Sequence, residues 1–77
     1  MVKSQYTYIS GKDLIKKLDD IFWIDILSQK LSHIKIQLHM NKKRAIIPNH
    51  RELAYGTFSW ILEQLTINEE EFLKMIK

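Results

Sequence analysis

Hydrophobic and polar positions along the chain follow two different periods, and the change of period marks the elements. In the first nine residues Tyr6, Tyr8 and Ile9 show no helical spacing, so this stretch reads as an extension, either a short strand or an extended arm. From Leu14 onward, Ile15, Leu18, Ile21 and Phe22 fall at helical spacing, with Lys12, Lys16, Lys17 and Asp19 on the opposite side. Ser10 followed by Asp13 forms a capping box with aspartate in the usual glutamate place. The spacing predicts an amphipathic helix over about residues 11–20.

The period then drops to two. Residues 22–27 are β-branched and aromatic, as strands favour. Residues 32–39 alternate: Ile34, Ile36 and Leu38 point to one face, and His33, Lys35, Gln37 and His39 to the other. Residues 40–43 form a polar turn, and residues 44–47 make a third strand that Pro48 ends at a sheet edge. Pairing His39 with Arg44 sets Leu38 opposite Ala45 and Ile36 opposite Ile47, so the apolar faces agree. Pairing Ser28 with Ser32 sets Leu27 opposite His33, where it would desolvate the imidazole, and Asp25 opposite Lys35. The three-residue loop between them places Leu31 where left-handed backbone is common, at a cost of about 1 kcal/mol for a non-glycine residue.

A helical period returns with Phe58, Ile61, Leu62 and Leu65. Asn68 then caps a further helical segment, Glu71 completes its box, and Ile67 is placed to staple to Phe72. Glu69, Glu70 and Glu71 in its first turn, with Lys74 and Lys77 in its last, match the helix dipole. The order is α-β-β-β-α with the last helix broken near Thr66, an α+β chain with no internal repeat and no linker.

Composition narrows the function classes. At 77 residues and 9.2 kDa there is room for one domain, read as residues 10–77 behind the extension of residues 1–9. The absence of cysteine excludes disulfides, thiolate metal sites and cysteine catalysis. No apolar run is long enough to cross a membrane and the first residues lack a secretory core, so a cytoplasmic protein is expected. His33 and His39 share a strand face but stand about 20 Å apart, and His50 brings no acidic third ligand. No metal and no cofactor are therefore expected. No serine sits between glycines, no glycine-rich phosphate loop exists, and Gly11 and Gly56 read as residues leading into helices.

What remains is the polar sheet face. The net charge of +3 is a mild excess, but Lys35, Arg44 and Gln37 share this face with His33, and Lys30, Lys42 and Lys43 lie at its turns. Lysine and arginine meet phosphates, while glutamine and histidine hydrogen-bond sugar hydroxyls. Taken alone, a histidine on the solvent side of a strand is an ordinary surface residue. Set among cations, it is also a group able to take and give protons near neutrality, and RNA carries its own nucleophile in the 2′-hydroxyl.

Gln29-Lys30-Leu31-Ser32-His33 and, after the third strand, Pro48-Asn49-His50 resemble the Gln-Lys-Gly-Ser-His and Pro-x-His motifs of HicA toxins. Glu52-Leu53-Ala54-Tyr55-Gly56-Thr57-Phe58, Ile61-Leu62 and Glu70-Glu71-Phe72 resemble their C-terminal helices, and Gly11-Lys12-Asp13-Leu14-Ile15 their first helix. The resemblance spans about residues 10–74. It implies a double-stranded-RNA-binding-domain-like fold, a three-stranded antiparallel sheet with helices packed on one face. It also implies a toxin of a type II toxin–antitoxin system, an endoribonuclease that cleaves mRNA without ribosome or metal and is neutralised by a HicB-type antitoxin. The catalytic histidine falls on His33, and Lys30, Ser32, Lys35, Gln37, Lys42, Lys43 and Arg44 become the expected RNA-binding residues. Two positions depart from the pattern: Leu31 replaces the motif glycine, and Phe22 stands where a glycine often precedes the first strand. The competing reading is an RNA-binding module on the same fold that no longer cuts, disabled at Leu31, and still binds an antitoxin.

Overall fold

In the computed structural model, residues 6–76 are described. The elements are α1 (Gly11–Phe22), β1 (Ile24–Gln29), β2 (His33–Leu38), β3 (Arg44–Pro48), α2 (Tyr55–Gln64) and α3 (Glu69–Met75). Helix α1 starts where Ser10 Oγ accepts the Asp13 N–H at 3.0 Å, and it buries Leu14 and Leu18 completely. It runs two residues further than the spacing predicts. Phe22 stays helical because its ring stacks on Phe72, with centroids 6.4 Å apart.

The chain then turns on Trp23 at φ 59°, a left-handed conformation unusual for a bulky residue. The Trp23 N–H donates to Asp19 O at 3.0 Å and its carbonyl accepts the His39 N–H at 3.0 Å. Asp19 Oδ1 takes the next amide, of Ile24, at 3.1 Å. These bonds hold a conformation that costs about 1–3 kcal/mol. The position that glycine would suit is thus Trp23, one residue beyond Phe22, and β1 begins only at Ile24.

The sheet is antiparallel in the order β1-β2-β3. Between β2 and β3 the register places Ile36 opposite Ala45, Ile34 opposite Ile47 and Gln37 opposite Arg44. This is two residues from the pairing expected from the turn. The turn is as long as expected but sits one residue earlier, over residues 39–42, because Leu38 N–H donates to Lys43 O and Lys42 N–H to Leu38 O, with Lys42 at φ 61°. Asn41 anchors it by accepting the Lys43 N–H at 2.9 Å and donating to Leu65 O at 3.1 Å. A two-residue slip keeps every side chain on its face, so the alternation could not distinguish the two pairings.

The β1–β2 hairpin departs further. A bulge between Ile26 and Ser28 shifts the register, so Asp25 faces Gln37 and Ser28 faces Lys35, and Leu27 does not pair with His33. Lys30 N–H donates to His33 O at 2.9 Å, which leaves only Leu31 and Ser32 in the turn. Leu31 is not among the left-handed residues and stands 97% exposed, so the strain expected there is absent.

The helices pack against one face of β2 and β3, burying Ile34, Ile36, Leu38, Ala45 and Ile47 against Leu14, Leu18, Phe58, Leu62 and Phe72 and leaving most of β1 exposed. Thr66, at φ 60°, separates α2 from α3, and Asn68 Oδ1 caps α3 through the Glu71 N–H at 2.9 Å. Residues 6–10 form an arm without strand pairing. The Tyr6 hydroxyl donates to Leu53 O at 2.6 Å and its ring lies 4.4 Å from that of Phe58. The remainder of the N-terminal extension, residues 1–5, and the terminal Lys77 lie outside the described residues. The architecture is α+β in the order α-β-β-β-α-α, and no described helix is long and apolar enough to cross a membrane.

Candidate nucleic-acid interface

The sheet face away from the helices carries the candidate chemistry. His33 opens β2 and is exposed on this face. Its Nδ1 lies 2.9 Å from Ser32 Oγ. The turn that presents both residues is clasped from the far end of β3. Asn49 N–H donates to Ser32 O at 2.9 Å and Asn49 Nδ2 to Leu31 O at 3.2 Å. The next residue, His50, accepts the Gly11 N–H at 2.9 Å, tying the clasp to the start of α1. Gly11 is the first residue of that helix, and a Cβ on it would lie 2.0 Å from Pro48 O, so only glycine permits this approach. Gly56 lies inside α2 with open space around it.

The hydroxyl of Ser32 can accept as well as donate. When Nδ1–H donates to Oγ, Nε2 keeps its lone pair and can take a proton, and the resulting imidazolium retains the same hydrogen bond. The arrangement therefore suits a general base.

His33 lines a groove of about 450 Å³ with Ser28, Lys30, Lys35 and Ile46. A second groove, of about 440 Å³, is lined by Lys35, Arg44, Ala45, Ile46 and Gln64. Lys35 and Ile46 belong to both, so the two form one track across the open face. Of the residues expected to bind RNA, Lys30, Ser32 and Lys35 gather around His33. Arg44 is four residues from Pro48, the partner of His33, and so lies about 13 Å along the sheet. Lys42 and Lys43 stand exposed in the turn beyond it. Gln37 is partly spent on structure, since its Nε2 donates to Lys42 O at 3.2 Å.

Asp25 reaches neither Lys35 nor any other cation on its own row. It meets His39 diagonally, Oδ2 to Nε2 at 3.0 Å, the one close contact of a carboxylate with a basic side chain among the described residues. The cations of the track thus have no carboxylate partner within the described part of the chain. Nor do any three His, Asp or Glu side chains among the described residues converge to hold a metal ion.

Three contributors escaped the sequence reading. Ile46 faces the open side because it alternates with buried Ile47, a signal present in the pattern. Asn49 matters through its hydrogen bonds to the β1–β2 turn, which no local pattern reveals. Trp23 lies in a run of strand-favouring residues, and only its backbone angle marks it otherwise. Comparison with protein-family models, curated proteins and solved structures finds no match to this chain.

Proposed function

We propose that the chain is an endoribonuclease toxin of the HicA type that cuts mRNA by general-base catalysis from His33. The observation that carries this reading is an exposed imidazole with Nδ1 held by Ser32 and with Lys30 and Lys35 lining the same groove. In the proposed reaction Nε2 of His33 takes the proton of a ribose 2′-hydroxyl. The 2′-oxygen attacks the adjacent phosphorus and the bond from phosphorus to the 5′-oxygen breaks. The imidazolium returns its proton to that 5′-oxygen, leaving a 2′,3′-cyclic phosphate and a 5′-hydroxyl end. General-base catalysis of this kind supplies about 10²–10⁴ in rate. Lys30 and Lys35 would offset the charge developing on the non-bridging oxygens. Arg44, Lys42 and Lys43 would hold the strand further along. These steps require no metal ion.

The partner is a HicB-type antitoxin. An inhibitor presenting carboxylates to Lys30 and Lys35 would cover His33 and neutralise the same cations that attract phosphate. Strain at Leu31 does not favour the alternative of an RNA-binding module that no longer cuts, because the backbone there is not left-handed; binding of RNA without cleavage would.

The test is induced expression together with cleavage of purified RNA in EDTA. Wild type is expected to arrest growth and leave cyclic-phosphate ends, His33→Ala to do neither, and co-expression of the neighbouring reading frame to restore growth. Equal toxicity of His33→Ala would sink the assignment.

A further inference from the structure

Trp23 lies at the opposite end of the open face from His33. It sits beside His39, six positions along from His33 and so about 20 Å away. The residue is 69% exposed and its ring meets the His39 imidazole edge-on, with centroids 6.4 Å apart. His39 is itself fixed by Asp25 at 3.0 Å. The backbone beneath the ring is held left-handed by Asp19 and His39, so the fold keeps a large exposed aromatic at a position that glycine would fill without strain. Strained backbone held by its surroundings gathers at functional sites. A buried anchoring role does not explain the residue, because most of its surface faces solvent.

We propose that Trp23 is a stacking platform for a nucleobase of single-stranded RNA, at the far end of the track that begins at His33. This rests on the reading of the open face as an RNA surface. The exposed turn cations Lys42 and Lys43 follow His39 on the same hairpin, and Arg44 continues the track toward Lys35. Charge on one side and an aromatic on the other is the combination that single-strand-binding surfaces use, because every base offers a flat face whatever its identity. A protein partner would also value an exposed tryptophan, but the unpaired cations along the same face favour a polyanion. One carboxylate oxygen of Asp25 is occupied by His39 Nε2 at 3.0 Å. The expected consequence is affinity for RNA of many sequences, with the strand held by Trp23 some distance from the bond that is cut.

The test uses Trp60→Phe protein, in which Trp23 is the only remaining tryptophan. The probe is a single-stranded 2′-O-methyl oligoribonucleotide of about ten nucleotides, within the span that such surfaces cover and lacking the nucleophile for cleavage. Saturable quenching of Trp23 emission is expected. Trp23→Gly should weaken binding by about ten- to a hundredfold, while Trp23→Tyr should restore most of it. Glycine suits φ 59°, so the variant should fold, which its thermal unfolding will show. Binding with unchanged emission and equal affinity in Trp23→Gly would overturn the platform and leave catalysis by His33 untouched. Quenching in a protein that proves unable to cut RNA would uphold the platform and sink the catalytic reading alone. Loss of antitoxin binding in Trp23→Gly with RNA affinity intact would assign the ring to a protein interface and overturn the proposal.

Discussion

The hydroxyl of Ser32 lies 2.9 Å from Nδ1 of the neighbouring His33, two adjacent residues at the point where the turn becomes β2. Adjacent side chains of a regular strand point to opposite faces. They meet here because Ser32 is still in the turn, held there by Asn49. If this bond keeps Nε2 free to act as base, Ser32→Ala should lower kcat for RNA cleavage by about tenfold, the worth of one oriented hydrogen bond. KM should change little, because phosphate contacts remain. Ser32→Thr keeps the hydroxyl and should recover most of the rate. An alanine variant with raised KM and normal kcat would show that Ser32 binds RNA rather than orients the ring.

Glycine substitutions at two positions should move stability in opposite directions. Leu31 stands where the resembled motif has a glycine, yet its backbone is not left-handed, so Leu31→Gly relieves nothing. It should cost about 0.5–1 kcal/mol through added freedom of the unfolded chain. Trp23 departs from glycine at a position that is left-handed, and Trp23→Gly should raise stability by about 1 kcal/mol. Urea midpoints of the two variants check this. A stabilised Leu31→Gly would mean that the turn is strained after all.

The alternation of residues 32–39 and the capping residues Ser10 and Asn68 placed all but the ends of the elements, because they are local signals. Registers were less legible. A slip of two residues between β2 and β3 leaves Ile34, Ile36, Ala45 and Ile47 on the same face, so periodicity cannot detect it. The bulge at Ile26–Ser28 has no compositional mark, and it removed the expected contact between Leu27 and His33. At the site, His33, Lys30 and Lys35 were readable from face and charge. The clasp by Asn49 was not, because it joins segments 18 residues apart through tertiary hydrogen bonds.

Gly11 and Gly56 look alike in sequence, each in the first turn of a helix, but should respond to alanine in opposite ways. A Cβ at Gly11 would overlap Pro48 O at 2.0 Å, and both partners are backbone. Gly11→Ala should therefore cost about 2–3 kcal/mol. It should also displace residues 48–50 and with them the Asn49 clasp, so RNA cleavage should fall together with stability. At Gly56 nothing lies within 4 Å, and alanine should stabilise α2 by about 0.5–1 kcal/mol without touching activity. Melting temperatures of the two variants decide the matter, and similar shifts would contradict the close approach of α1 to Pro48.

The Tyr6 phenol should make stability fall in alkaline solution. Burial raises its pKa above 10.0, helped by the charges of Tyr8 and Glu52 and opposed by a hydrogen bond from the Ile9 amide. The Tyr55 phenol shifts the same way, chiefly because it donates to Glu69. A raised acid pKa means that the folded state holds the proton more tightly than the unfolded chain does. The stabilisation is complete below pH 10, where both states are protonated, and is lost as pH rises through the folded value. Tyr6→Phe removes the titration and also the hydrogen bond to Leu53 O at 2.6 Å. At pH 7 that variant should be less stable by about 1 kcal/mol. Above pH 10 the gap between wild type and Tyr6→Phe should narrow, as the unfolded wild-type chain gains from ionising Tyr6 and the variant does not. Thermal melts followed from pH 8 to pH 11 measure this directly. A gap that stays constant or widens would show that the Tyr6 arm does not pack against Leu53 and Phe58 in solution.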